Sequence, residues 1–321
     1  MERKKILEVK NLKVYYPVRQ KSEKAFVKAV DDISFSVYEG ETFGIVGESG
    51  CGKSTTGKTL VRLNKPTAGT VLFEGKDLSL NANRREVMEL TQKIQIIFQD
   101  PYSSLDPRFS IGRCIEEPLI VHHMGNAMER YNRVAELMYD VGLKAEQYTR
   151  YPHEFSGGQR QRIGVARALA LRPSLVVCDE PVSALDVSIQ AQILNLMKEL
   201  QRKYNLTYIF ISHNLSVVKH VCDRIAVMYL GNMMEIADKK DLFDKPLHPY
   251  TRALLDAIPV PDPDIKSMTG TLEGDVPSPV NPPKGCVFHT RCPYATDRCR
   301  QERPQLKEYG KGHLAACFRC E

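Results

Sequence analysis

The sequence predicts an α/β protein built on a largely parallel sheet, with a separate cysteine-bearing tail. Three observations predict it. Short apolar strands alternate with helix-period segments from about residue 6 to residue 211. A glycine-rich turn, Gly47–Thr55, stands between one such strand and one such helix. Seven prolines fall between Pro259 and Pro283, where long periodic segments stop.

The elements follow in order. Ile6–Val14 alternates as a half-buried strand does, and a polar insert follows at Arg19–Lys24. Ile33–Val37 alternates again, and Glu39-Gly40-Glu41 is a turn. Thr42–Val46 is a buried strand ending at Gly47, and Lys53–Leu63 a helix that stops near Pro66. Val71–Phe73 and Ile94–Phe98 are short strands; Ile115–Val141 is mostly helical in pattern. Gly158–Leu171 is a further helix, and Leu175–Cys178 an apolar strand bounded by Pro173 and Asp179. Val187–Lys203 sets Ile189, Ile193, Met197 and Leu200 on one helical stripe. Leu206–Ile211 is β-rich, and no internal repeat is visible.

Composition bounds the function. With 321 residues, 42% apolar and 26% charged, about two folded domains are expected and a wholly disordered chain is excluded. No run of ~18 apolar residues offers a membrane-spanning helix. The basic start, MERKKILEVK, lacks the apolar stretch of a signal peptide, so a cytosolic protein is expected. Lys and Arg exceed Asp and Glu by 45 to 39, a surplus that suits solubility better than a nucleic-acid groove. Nine cysteines in a reducing compartment would stay thiols. Cys51, Cys114, Cys178 and Cys222 are scattered, whereas Cys286, Cys292, Cys299, Cys317 and Cys320 crowd the tail.

Three segments carry chemistry. Gly47-Glu48-Ser49-Gly50-Cys51-Gly52-Lys53-Ser54-Thr55 fits the phosphate-loop pattern G-x4-G-K-S/T in its required place, after a strand and opening a helix. Its backbone N–H groups can turn inward around phosphate oxygens, and the helix start adds partial positive charge. Lys53 is expected on the β- and γ-phosphates and the Ser54 hydroxyl on Mg²⁺. Leu175–Cys178 leads into Asp179-Glu180. Beside a phosphate loop, Asp179 is expected to hold Mg²⁺ through water and Glu180 to deprotonate the attacking water. Phe155-Ser156-Gly157-Gly158-Gln159 precedes a helix and forms a second anion site, or else a plain helix cap. One nucleotide does not need two such sites. The loop is therefore expected to bind the γ-phosphate held by a second, similar molecule.

These segments resemble the ATP-binding cassette family, the ATPase subunits of ABC transporters. The family signature is L-S-G-G-Q, and Phe155 is a conservative departure in its first place. The other elements follow in order over residues 6–235. Gln99 in IIFQDP is similar to the glutamine that senses Mg²⁺ and the membrane partner. Ser183-Ala184-Leu185-Asp186 resembles the D-loop. His213 in IFISHN resembles the switch histidine that contacts the γ-phosphate. Tyr16 stands where the family stacks an aromatic on adenine, with Tyr15 as the alternative. The resemblance implies a RecA-like P-loop NTPase core, an antiparallel β-subdomain, an inserted helical subdomain and a C-terminal extension. The expected divisions are 1–90, 91–170, 171–245 and 246–321.

The segments Gln99–Arg108, Glu180–Ser188 and His248–Leu255 are similar to those of the dipeptide, oligopeptide and nickel importers. Val276–Pro283 is most like the F-type subunit. The resemblance implies ATP hydrolysis coupled to peptide uptake, with nickel uptake, or a soluble cassette acting on ribosomes or DNA, as alternatives. Its implied partners are a second, homologous ATPase subunit, two membrane permeases and, indirectly, an extracellular binding protein. Nucleic acid is not among them, and the place implied is the cytoplasmic face of the plasma membrane.

The tail spacing is Cys286-x5-Cys292-x6-Cys299-x17-Cys317, with Cys320 beyond. Structural zinc favours close pairs, and only Cys317 and Cys320 form one. Wider gaps suit a cubane whose irons each take one thiolate, although the spacing is not that of ferredoxins. Zinc and bare thiols stay open on spacing alone. The resemblance implies a 4Fe–4S cluster on Cys286, Cys292, Cys299 and Cys317, in a structural role.

Overall fold

The two alternating stretches at the N-terminus pair with each other. The computed structural model describes residues 3–20, 23–78, 83–100, 102–258 and 274–321. Part of the polar insert, Pro101 and the prolines from 259 to 263 lie outside the described residues. The chain divides into two compact units, residues 1–80 with 212–321, and residues 81–211.

In the first unit, β1 (Lys5–Gln20) and β2 (Glu23–Tyr38) run antiparallel. Then come β3 (Thr42–Val46), α1 (Lys53–Leu60), β4 (Ala68–Phe73) and β5 (Lys76–Asp77). The antiparallel sheet has the order β2-β1-β4-β5. Leu7 lies opposite Phe73 and Val9 opposite Val71, and all four are buried. Residues of one parity thus share one apolar face.

The second unit opens with α2 (Arg84–Lys93) and β6 (Ile94–Ile97). The stretch Ile115–Val141, mostly helical in pattern, falls in two helices, α3 (Ile111–Val121) and α4 (Ala127–Asp140). His123 and Gly125 take left-handed φ of +54° and +65° between them, and Asn126 caps α4. Next come α5 (Gly157–Leu169), β7 (Leu175–Asp179), α6 (Val187–Tyr204) and β8 (Thr207–Ser212). Strands β6, β7 and β8 are parallel neighbours. Every residue of β7 and β8 is buried, as a sheet covered on both faces requires.

The chain returns to the first unit with α7 (Leu215–Val221), β9 (Arg224–Tyr229) and β10 (Asn232–Asp238). Strand β9 runs parallel to β3 and antiparallel to β10. Sequence reading passed over both strands, whose short apolar runs carry no distinctive period. Helices α8 (Lys239–Asp244), α9 (Pro249–Asp256) and α10 (Asp297–Gln301) follow, then the short strands β11 (Lys307–Glu308) and β12 (Leu314–Ala315). Strand β12 pairs with β10, so the tail adds its edge to the sheet that holds β3, β9 and β10.

Candidate nucleotide-binding site

The phosphate loop leaves β3 at Gly47 and enters α1 at Lys53. Gly52 stands at φ +104°, and a β-carbon there would lie 2.0 Å from the Ala29 carbonyl oxygen. Only glycine fits that approach. Helix α1 has no side-chain cap at its start. Lys53 is buried, and its Nζ donates to the Gly47 and Glu48 carbonyls at 2.8 and 2.9 Å. The loop thus curls round its own cation. Cys51 is buried beside it, and burial pushes its thiol pKa up. Ser49 and Gly50 are exposed, and Ser54 and Thr55 half-buried.

Of the two tyrosines, Tyr15 donates its hydroxyl to Asp31, whereas Tyr16 is 39% exposed. The open ring is that of Tyr16. His213, just past β8, is also exposed.

In the second unit, Asp179 ends β7 and is buried. Glu180 follows at φ +48°, a strained value for a residue with a β-carbon. Its amide donates to the Ile211 carbonyl at 3.0 Å, which ties the turn to β8. Gln99 Nε2 donates to Glu180 Oε2 at 3.1 Å, across 81 residues of sequence. Ser183 caps the same turn through the Glu180 carbonyl, at 3.1 Å. Asp186 stands exposed at the start of α6.

The signature loop enters α5. Ser156 Oγ accepts from the Gln159 amide, and Gln159 Oε1 accepts from the Ser156 amide at 3.1 Å. This is a closed capping box. Phe155 is buried, so the departure from leucine serves as an apolar anchor. Gly157 is exposed, and a β-carbon on Gly158 would lie 2.5 Å from Ile189 Cγ2.

A family model described as ABC transporter matches residues 30–183, and one described as oligopeptide/dipeptide transporter, C-terminal region, matches residues 234–299. The chain is 54% identical over 317 residues to the oligopeptide transport ATP-binding protein AppF of Bacillus subtilis, spanning 97% of this chain and 96% of AppF. The chain belongs to the ABC transporter family. The ABC cassette MJ0796, solved as a dimer in a post-hydrolysis state with ADP and phosphate, has the same fold at TM-score 0.65 and 28% identity, over 73% of this chain and 98% of its own. So does cbiO1 of Clostridium perfringens, part of an ABC transporter complex, at 0.65 and 27%, over 75% and 92%. As an ABC ATPase the chain binds ATP with Mg²⁺ and hydrolyses it.

The extension of this ABC ATPase gathers its cysteines loosely. Cys286, Cys292, Cys299 and Cys317 line one cavity of about 550 Å³ together with Phe288 and Phe318. Burial pushes the Cys286 thiol up to about 11, with the neighbouring Cys299, Cys292 and Cys317 adding to it. Cys320 stays off that lining. The donors are right in kind for a thiolate-bound cluster. Their arrangement lends the iron–sulfur expectation no support, because among the described residues no three His, Cys, Asp or Glu side chains are grouped to hold a metal ion.

Sequence reasoning missed the contacts that the extension makes with the core. Glu235, fully buried in β10, accepts from the Leu247 and His248 amides at 2.8 and 2.9 Å and pairs with His313 at 2.7 Å. Arg291 pairs with Glu48 of the phosphate loop. No local spacing signals either pair.

Proposed function

We propose that the chain is the ATP-hydrolysing subunit of a dipeptide or oligopeptide importer, bound peripherally to the cytoplasmic face of the membrane. One observation carries this reading. The likeness to an oligopeptide transport ATPase runs through the C-terminal extension as well as the cassette. Among the described residues no helix is long and apolar enough to cross a membrane, so permeation falls to other subunits.

The partners in this reading are a second, non-identical cassette and two integral membrane permeases, with a binding protein delivering peptide from outside. The surface near Gln99, where Phe98, Ser104, Pro118 and Arg167 line a small cavity, would receive short permease helices. ATP would lie between the phosphate loop of one cassette and Ser156, Gly157, Gly158 and Gln159 of the other. The open ring of Tyr16 would stack on adenine. Lys53 would take the β- and γ-phosphates, with the backbone of Gly47, Ser49, Gly50, Cys51, Gly52 and Thr55 around them. Mg²⁺, held by Ser54, Gln99 and Asp179, would neutralise phosphate charge. Glu180 would accept a proton from water as that water attacks the γ-phosphorus, leaving ADP and inorganic phosphate. His213 would hold the γ-phosphate, and Ser183 and Asp186 would meet the partner cassette. Catalysis of this kind rests on position and electrostatics.

The tail would hold a 4Fe–4S cluster on Cys286, Cys292, Cys299 and Cys317 as a structural staple, a reading that rests on the wide cysteine spacing and on the subfamily resemblance. Anaerobically purified protein should then be brown, with about four irons per chain, one to a thiolate. Stoichiometric zinc, or iron retained by Cys286→Ser, would overturn the cluster.

The transport reading is tested by purification from membranes and by assay in liposomes. Recovery with two permeases, and ATP hydrolysis stimulated by a peptide-loaded binding protein, is the expected result. Recovery with ribosomes or DNA instead would overturn it.

A further inference from the structure

Glu48 occupies a variable position of the phosphate-loop motif, so the motif assigns it no role. In the fold it is held at both ends by the C-terminal extension. Arg291 donates from Nη1 to Glu48 Oε2 at 2.7 Å and from Nη2 to Oε1 at 3.2 Å. This is a forked pair, and the arginine side chain is only 5% exposed. The Tyr250 hydroxyl accepts from the Glu48 amide at 3.0 Å, and Tyr250 is fully buried. Both residues are set rigidly. The Phe288 ring packs 5.2 Å from Tyr250 and 5.3 Å from Tyr229. The Arg291 amide donates to the Phe288 carbonyl at 3.0 Å, and its guanidinium lies 5.8 Å over Tyr229. Burial works against the arginine's charge, but Glu48 outweighs it and the pKa rises.

The third polar group of Glu48 points into the loop. Its carbonyl accepts from Lys53 Nζ at 2.9 Å and from the Cys51 amide at 3.3 Å. One residue therefore joins the tail, through amide and carboxylate, to the phosphate-binding lysine, through carbonyl. We propose that Arg291 and Tyr250 are positioning residues for ATP binding, bracing Glu48 so that the phosphate loop is preformed around Lys53. The inference rests on the assignment of this loop to ATP. A loop held in its receiving shape does not spend binding energy on ordering itself. A lysine at 291 would keep charge but lose the fork.

The test uses the full-length chain with a fluorescent ATP analogue, and the assembled transporter for steady-state kinetics. Arg291→Met should weaken nucleotide binding about tenfold, the scale of one lost charge-assisted hydrogen bond. KM for ATP should rise in step while kcat holds. Arg291→Lys should recover part of the loss. Glu48→Gln combined with Arg291→Met should be no worse than the more damaging single change, because the two act as a pair. Tyr250→Phe removes only the hydroxyl and keeps the ring packed, so it tests the brace even where Arg291→Met fails to fold. It should weaken binding severalfold. Unchanged affinity in a folded Arg291→Met or Tyr250→Phe chain, or additive effects in the double variant, would overturn the brace. Failure of the unaltered chain to bind the analogue would instead overturn the assignment of the loop.

Discussion

The helix behind Gly52 and the helix behind Ser156 both open with glycine beside them, yet only the second caps itself. At α1 there is no side-chain cap, and the buried Lys53 ammonium fills the loop. At α5, Ser156 and Gln159 close a reciprocal box. The two differ in what they need. An uncapped start beside its own cation leaves the helix-end amides free of side-chain competition, which suits an anion. A self-capped start is satisfied alone, and any anion bound there would compete with Ser156 Oγ for the Gln159 amide. The first suits a loop that keeps its nucleotide. On the proposed head-to-tail reading, the second would suit a loop whose ligand arrives on another molecule.

The largest expected effect isolates chemistry from both loops. Glu180→Gln keeps the side chain's size and removes the base, so hydrolysis should fall about 10²–10⁴-fold while ATP still binds. Single-turnover hydrolysis and nucleotide retention measure this. An undiminished rate in the assembled transporter would remove Glu180 from the mechanism.

The next pair sets one loop against the other. Lys53→Ala should weaken ATP binding by this chain about 10- to 100-fold, since a charge-assisted phosphate contact is lost. Ser156→Arg should leave that binding nearly intact and impair the site on the partner's phosphate loop. Photolabelling of each subunit with an ATP analogue separates the two. A defect of Ser156→Arg confined to this chain's own nucleotide would erase the distinction.

The smallest effect tests the cap itself. Ser156→Ala should cost about 1 kcal/mol of stability, the usual value of an N-cap hydroxyl. Thermal melting of the full chain, read against Ser49→Ala in the uncapped loop, measures it. Equal melting of the two variants would mean that the capping box contributes nothing.

Much of this was legible in the chain. Thr42–Val46, Gly47–Thr55 and Leu175–Glu180 declare themselves because strand, turn and helix start are set by neighbouring residues. The buried strands and the uncapped α1 stand where the pattern puts them. The choice between Tyr15 and Tyr16 was not legible. Strand parity leaves it open, and the proposal for Tyr16 draws on a contact that no local pattern shows, the Tyr15 hydroxyl bond to Asp31, 16 residues away. The break between α3 and α4 went unplaced, although Gly125-Asn126 is a local turn signal at the span where His123 and Gly125 turn left-handed.

By itself the sequence determined the two glycine-bearing loops, the acidic strand end and the crowding of thiols in the tail. Each is a short run whose backbone geometry follows from glycine, charge and local period. Only the tertiary structure decided that the tail belongs to the nucleotide core. Arg291 meets Glu48 across 243 residues, Arg303 meets Asp31 across 272, and His313 meets Glu235 across 78. A single charged residue has many opposite partners along the chain, and nothing local selects one. The selection is made when β12 docks on β10 and the aromatic cluster of Tyr229, Tyr250 and Phe288 closes, because a buried charge is tolerated only where its partner is already in place.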